Sequence, residues 1–110
     1  MTTMVTRFTK YGMRIETAHR VYVASYKTVV CAYDKQTKEL ARFWDGYSKS
    51  TMSHIRRVKE CSSIGYMRIW EDMPVKKPAL MDEYWLIQDY VDEKGKESDK
   101  GYYWYGYGWR

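Results

Sequence analysis

Residues 21–44 set the first constraint on this chain. Val21-Tyr22-Val23-Ala24-Ser25-Tyr26 and Thr28 to Tyr33 are runs of β-branched and aromatic residues, which suit a pleated, half-buried surface better than a helix. They read as strands, either continuous or offset by a bulge near Lys27. Asp34-Lys35-Gln36-Thr37-Lys38 is a polar turn, and Glu39 to Trp44 returns as a paired strand. The expected unit is a β-hairpin with a five-residue loop, without the Asn-Gly pair that marks the tightest hairpins.

The stretch that follows changes character. Asp45-Gly46 is a turn dipeptide, and Ser48 or Ser50 can cap a helix by accepting a free first-turn amide. From Thr51 onward, Met52, Ile55 and Val58 recur at helical spacing. His54, Arg56, Arg57 and Lys59 fall largely on the other sides. Strand, turn, strand and helix in succession place a basic helix, about residues 50–60, on one face of a small antiparallel sheet, an α+β arrangement. Two readings of that helix stand open: a solvated basic face, or a phosphate-tracking surface whose first-turn amides and hydroxyls also hold an anion.

The remaining segments extend the sheet. Val5, Phe8, Met13 and Ile15 suggest two short strands, or one bent strand, interrupted at Tyr11-Gly12. Ile64 to Glu71 reads as a strand after a break at Cys61-Ser62-Ser63. Pro74 and Pro78 bracket a loop, since no regular element runs through both. Leu80, Tyr84, Ile87 and Val91 have helical spacing, yet the composition of 84–91 and the polar loop after it favour a strand. The last ten residues hold six aromatics and three glycines; Tyr102 to Tyr107 reads as a final strand with one face buried and the other usable.

Composition narrows the class. With 110 residues, one domain is the natural organisation. Only three leucines accompany twelve Tyr and five Trp, so rings must fill part of the core. Residues 1–60 carry twelve Lys/Arg against five Asp/Glu, and residues 61–110 carry seven against nine. The positive front half suits nucleic acid, an acidic membrane surface or an acidic protein. No apolar stretch approaches membrane-spanning length and no secretory signal is evident, so a cytoplasmic protein is expected, with Cys31 packing as a small hydrophobe.

Little here suits catalysis. His19, Cys31, His54 and Cys61 contain no close ligand pair of the kind zinc sites use, and Asp82-Glu83 and Asp92-Glu93 lie in no metal loop. No cofactor and no metal are expected. What remains is basic and aromatic. Arg42, Lys49, His54, Arg56, Arg57 and Lys59 form the candidate basic face; Tyr47, Tyr102, Tyr103, Trp104, Tyr105, Tyr107 and Trp109 form the candidate stacking surface. Charge that tracks a backbone and rings that meet bases suit single-stranded nucleic acid.

Ser25-Tyr26-Lys27-Thr28-Val29-Val30-Cys31-Ala32-Tyr33-Asp34, followed by Tyr47-Ser48-Lys49-Ser50-Thr51-Met52-Ser53-His54-Ile55, resembles a pattern in short uncharacterised proteins of bacteriophages and mobile elements. There S-Y-x-T-x-V-A-x-x-D precedes Y-S-x-T-T-x-x-H-I. Cys31 and Ser50 depart from it, and the resemblance covers about residues 21–58. It implies a setting, that of small phage accessory factors, some of which inhibit host defence as anti-CRISPR proteins do. The expectation is a non-catalytic accessory protein that engages or inhibits a host nucleic-acid-handling machine, with a host protein or protein–nucleic-acid complex as partner and a homodimer possible. The alternatives are direct binding of single-stranded DNA or RNA and, last, a His54-dependent nuclease.

Overall fold

Strand β3 (Arg20–Ser25) is apolar on both faces because both are covered. The computed structural model describes residues 4–8, 11–76 and 82–99. β1 (Met4–Arg7), β2 (Gly12–Glu16), β3, β4 (Thr28–Asp34) and β5 (Leu40–Arg42) form one antiparallel sheet in sequence order. Along β3, Val21 and Val23 point to one side and Tyr22 and Ala24 to the other, and all four are fully buried. The pairing of β3 with β4 shifts between Val23↔Cys31 and Ala24↔Val29. That leaves Val30 as the extra residue of a bulge, so Val30 and Cys31 face the same layer. The bulge lies beyond Lys27; at Tyr26-Lys27 the chain makes a two-residue hairpin turn instead.

On the Val21 side lie α1 (Lys49–Arg56), a 3₁₀ segment (Lys59–Gly65) and α2 (Met67–Asp72). Ser48 is the N-cap, its Oγ accepting the Thr51 amide at 3.0 Å. Met52, Ile55, Val58, Cys61, Ile64 and Trp70 pack on Val21, Val23, Val30 and Cys31. Burial and contact with Cys61 push the Cys31 thiol well above the ordinary range. The strand expected over Ile64–Glu71 is replaced by the end of the 3₁₀ segment and by α2. Ile64 and Trp70 are buried while Tyr66, Met67 and Ile69 are exposed, a pattern that alternation cannot produce. Gly65 permits the close return: a Cβ there would sit 2.9 Å from the Arg56 amide nitrogen.

α3 (Asp82–Asp99) covers the opposite face. The strand favoured over 84–91 is therefore a helix. Tyr84, Ile87 and Val91 meet Met13, Ile15, Tyr22, Ala24, Val29 and Ala32, whereas Trp85 and Leu86 point outward. A free sheet face of that size outweighs the strand propensity of Tyr-Trp-Leu-Ile. Two polar pins fix the register: Glu83 accepts from Tyr22 Oη at 2.9 Å and Thr17 Oγ1 at 3.0 Å, and Gln88 bridges the Val29 amide and the Lys27 carbonyl. The strand expected at Tyr102–Tyr107 lies outside the described residues.

Ile87→Ala, which removes the centre of the α3 contact, should lower unfolding free energy by about 2–5 kcal/mol in urea titration. Cys31 and Cys61, both free and buried, should resist alkylation at pH 8 in the folded protein and react once it unfolds.

Candidate functional site

The expected basic face divides in two. Arg42 is an internal tie and leaves the surface. Its guanidinium donates to the carbonyls of Trp44 (2.7 Å), Trp70 (2.6 Å), Met73 (3.2 Å) and Gly46 (3.4 Å) and stands 4.5 Å from the Trp70 ring centroid. His54 is also buried. Its position one turn after the buried Thr51 puts it at the flank of the core-facing arc, and Phe8 and Tyr26 cover it at ring distances of 6.1 and 5.5 Å.

Lys49, Arg56, Arg57 and Lys59 are exposed. On a 100° helical wheel Lys49, Ser53, Arg56 and Arg57 share the outer face of α1. No acidic residue occurs in α1. Of the two nearest in sequence, Asp45 is exposed on the loop before the helix, and Glu60 is drawn to the sheet by Arg14, which donates to it at 2.7 Å and holds its carboxyl below the usual range. Among the described residues none of these four cations has an ion pair. Arg56 lies 5.4 Å from the ring of Tyr66, itself 58% exposed. Tyr66 escapes a strand reading of Ile64–Glu71, where it would alternate inward or outward with no link to α1. Of the expected stacking residues, Tyr47 is exposed, and the tail rings lie outside the described residues.

A second feature sits at the start of α1. A cleft of about 190 Å³ opens between the β3–β4 hairpin and the loop leading into the helix. Tyr26, Thr28 and Val30 form one side; Trp44, Tyr47 and Ser48 form the other; Ser25 and Thr51 lie at its base. The two parts of the Ser25–Asp34 and Tyr47–Ile55 pattern thus meet across one opening. Tyr26 and Lys27 hold φ of 51° and 72°, in the left-handed region that non-glycine residues enter at a cost of roughly 1–2 kcal/mol each. The Tyr26 amide donates to the Tyr11 carbonyl at 3.1 Å, the two rings stack at 4.9 Å, and Gln88 holds the Lys27 carbonyl at 3.0 Å.

The base of the cleft is a chain of hydroxyls. Ser48 Oγ donates to Thr51 Oγ1 at 2.9 Å, Thr51 Oγ1 meets Ser25 Oγ at 3.0 Å, and Ser25 Oγ meets His54 Nδ1 at 2.7 Å. Each of these hydroxyls carries one hydrogen and two lone pairs, so the run is satisfied with its hydrogens pointing either way, according to the His54 tautomer. Burial, then the charge of Arg57, lowers the His54 pKa, which favours a neutral ring at the end of the run.

A larger depression of about 240 Å³, lined by Arg20, Asp34, Glu39 and Lys76 among others, has its charges opposed internally: Arg20 lies 3.4 Å from Asp34 and Lys76 4.0 Å from Glu39. Among the described residues no group of three His, Cys, Asp or Glu side chains is placed to hold a metal ion, and no helix is long and apolar enough to cross a membrane.

The fold and surface define a small α+β domain with a five-stranded antiparallel meander, one cationic helix and a hydroxyl-lined cleft. The chain belongs to the family of unknown function DUF8033, which matches residues 1–72. No curated protein and no solved structure matches it.

His54 gives the site a pH signature. The groups facing it are Ser25, Phe8, Tyr26 and Arg57. With the folded pKa below the unfolded value near 6.5, the neutral ring contributes stability that is fully present above that value. It is lost as pH falls toward the folded pKa. Thermal melts between pH 7.5 and 5 should show this loss, and His54→Asn should remove that part of the slope.

Proposed function

We propose that this protein is a non-catalytic binding protein of the phage accessory type, acting in the host cytoplasm on a nucleic-acid-handling machine. Its contact surface is the outer face of α1. The observation that carries this reading is the set Lys49, Arg56 and Arg57 on that face and Lys59 just beyond it, all exposed and none in an ion pair among the described residues, with Tyr66 beside Arg56. Cations without ion pairs beside an exposed ring suit phosphates and bases. The strand held by such a machine is therefore the favoured contact, with a host protein as the alternative partner. The resemblance of Ser25–Asp34 and Tyr47–Ile55 to proteins of bacteriophages and mobile elements supplies the setting.

The test is binding of the purified protein to labelled single- and double-stranded DNA and RNA at two salt concentrations. Four phosphate contacts would give a log–log salt slope of about −3 on a single strand. Arg57→Glu with Lys59→Glu should weaken binding at least tenfold at low salt and shrink that slope. Arg56 is a poorer probe because it also donates to the Gly65 carbonyl at 2.6 Å. Absence of binding to every nucleic acid at low salt would overturn the strand contact and direct the search to a protein partner.

A further inference from the structure

The charge of this chain is divided between its two layers of helix. α3 holds seven Asp/Glu and two Lys, so it carries −5 in a chain whose total is +5. Its inner side covers the sheet. On its outer side Trp85 is 48% exposed and Leu86 59% exposed, and Asp89 and Asp92 are exposed with them. Positions 85, 86, 89 and 92 share one stripe of a helix. Asp92 accepts from Gln88 within α3, and neither aspartate enters an ion pair among the described residues.

Carboxylates around an apolar pair repel a phosphate backbone, so this face does not extend the strand contact. It fits a cationic surface that carries exposed apolar groups of its own. The chain has such a surface on its other side. Arg57 and Lys59 stand exposed at and beyond the end of α1. Arg56 donates to the Gly65 carbonyl at 2.6 Å, which brings the next two residues, Tyr66 and Met67, beside it with both side chains exposed. The cationic layer and α3 cover opposite faces of the sheet. One molecule cannot bring these two surfaces together, but two molecules can.

We infer that the outer face of α3 docks on the α1–α2 edge of a second copy of this chain. Asp89 and Asp92 meet the second copy's Arg57 and Lys59, and Trp85 and Leu86 meet its Tyr66 and Met67. The joint is heterologous, so every pair of copies keeps one unused face of each kind, and association continues head to tail. Exposed charges and a few apolar side chains make it weak and sensitive to salt. A nucleic-acid strand on α1 and a second copy compete for Arg57 and Lys59, but the joint does not depend on strand binding.

The test is sedimentation equilibrium of the full chain, free of nucleic acid, from about 10 µM to about 1 mM and at about 20 mM and about 500 mM salt. The mean mass should rise above the monomer's 13.3 kDa with concentration at low salt, and the association should weaken at least tenfold at high salt. Leu86→Lys with Asp89→Lys removes one face, and Arg57→Glu with Lys59→Glu removes the other. Each double variant alone should stay monomeric. Mixed in equal amounts they should form a dimer and nothing larger, because one intact face of each kind remains. A wild-type chain that stays monomeric at low salt would overturn the joint. So would association that survives Leu86→Lys with Asp89→Lys, or a mixture that stays monomeric while both variants keep the wild-type circular dichroism spectrum. Dilution of the isotopically labelled wild type, followed by NMR, needs no variant: signals of Trp85 and of Tyr66 and Arg57 should shift together, and shifts at one face alone would assign the contact elsewhere and sink the proposal. Strand binding is read separately with nucleic acid present, so either result can fail without the other.

Discussion

The burial of Arg42 is the constraint on which the rest of the α1 layer depends. A guanidinium has five N–H donors and cannot shed its charge. Taken out of water without a carboxylate, it must be met by carbonyl dipoles. Here those dipoles come from Trp44 and Gly46 on one side and from Trp70 and Met73 on the other. The end of β5, the loop into α1 and the end of α2 are thereby gathered at one point. The Trp70 indole adds a bond to the Gly46 carbonyl at 2.8 Å. Since Trp44 and Tyr47 are walls of the cleft and Ser48 starts α1, the position of the whole surface follows from how this one cation is solvated. Hydrogen bonds to a charged group contribute about 1.5–3 kcal/mol each, and the chain has spent several of them on geometry.

The sheet was largely legible in the sequence. Strand pairs around Asp34–Lys38 follow from β-branched runs and a polar turn, and the α1 cap from Ser48. Two segments misled for the same reason. Ile64–Glu71 and 84–91 are rich in residues with strand propensity, but propensity is a weak prior beside an uncovered apolar face. Their burial, at Ile64 and Trp70 in one case and Tyr84, Ile87 and Val91 in the other, follows the needs of the sheet. Arg42 and His54 were read as surface residues because polar side chains are visible in a sequence while the carbonyls, rings and hydroxyl that enclose them are not. The cleft was hidden for a further reason: Ser25 and Thr51 lie 26 positions apart, and neither type of residue signals a site alone.

The sequential strand order carries a consequence for how the chain assembles. Each strand pairs with the one before it, so the five strands close through short loops, the kind of local connection that speeds folding. The family match ends with the last residue of α2, after the sheet and one covering layer are complete. α3 comes later along the chain and reaches back about sixty positions to Tyr22 and Val29, a closure that follows formation of the surface it lands on. The apolar side formed by Met13, Ile15 and Tyr22 is therefore open during synthesis until residues 82–99 have emerged to cover it.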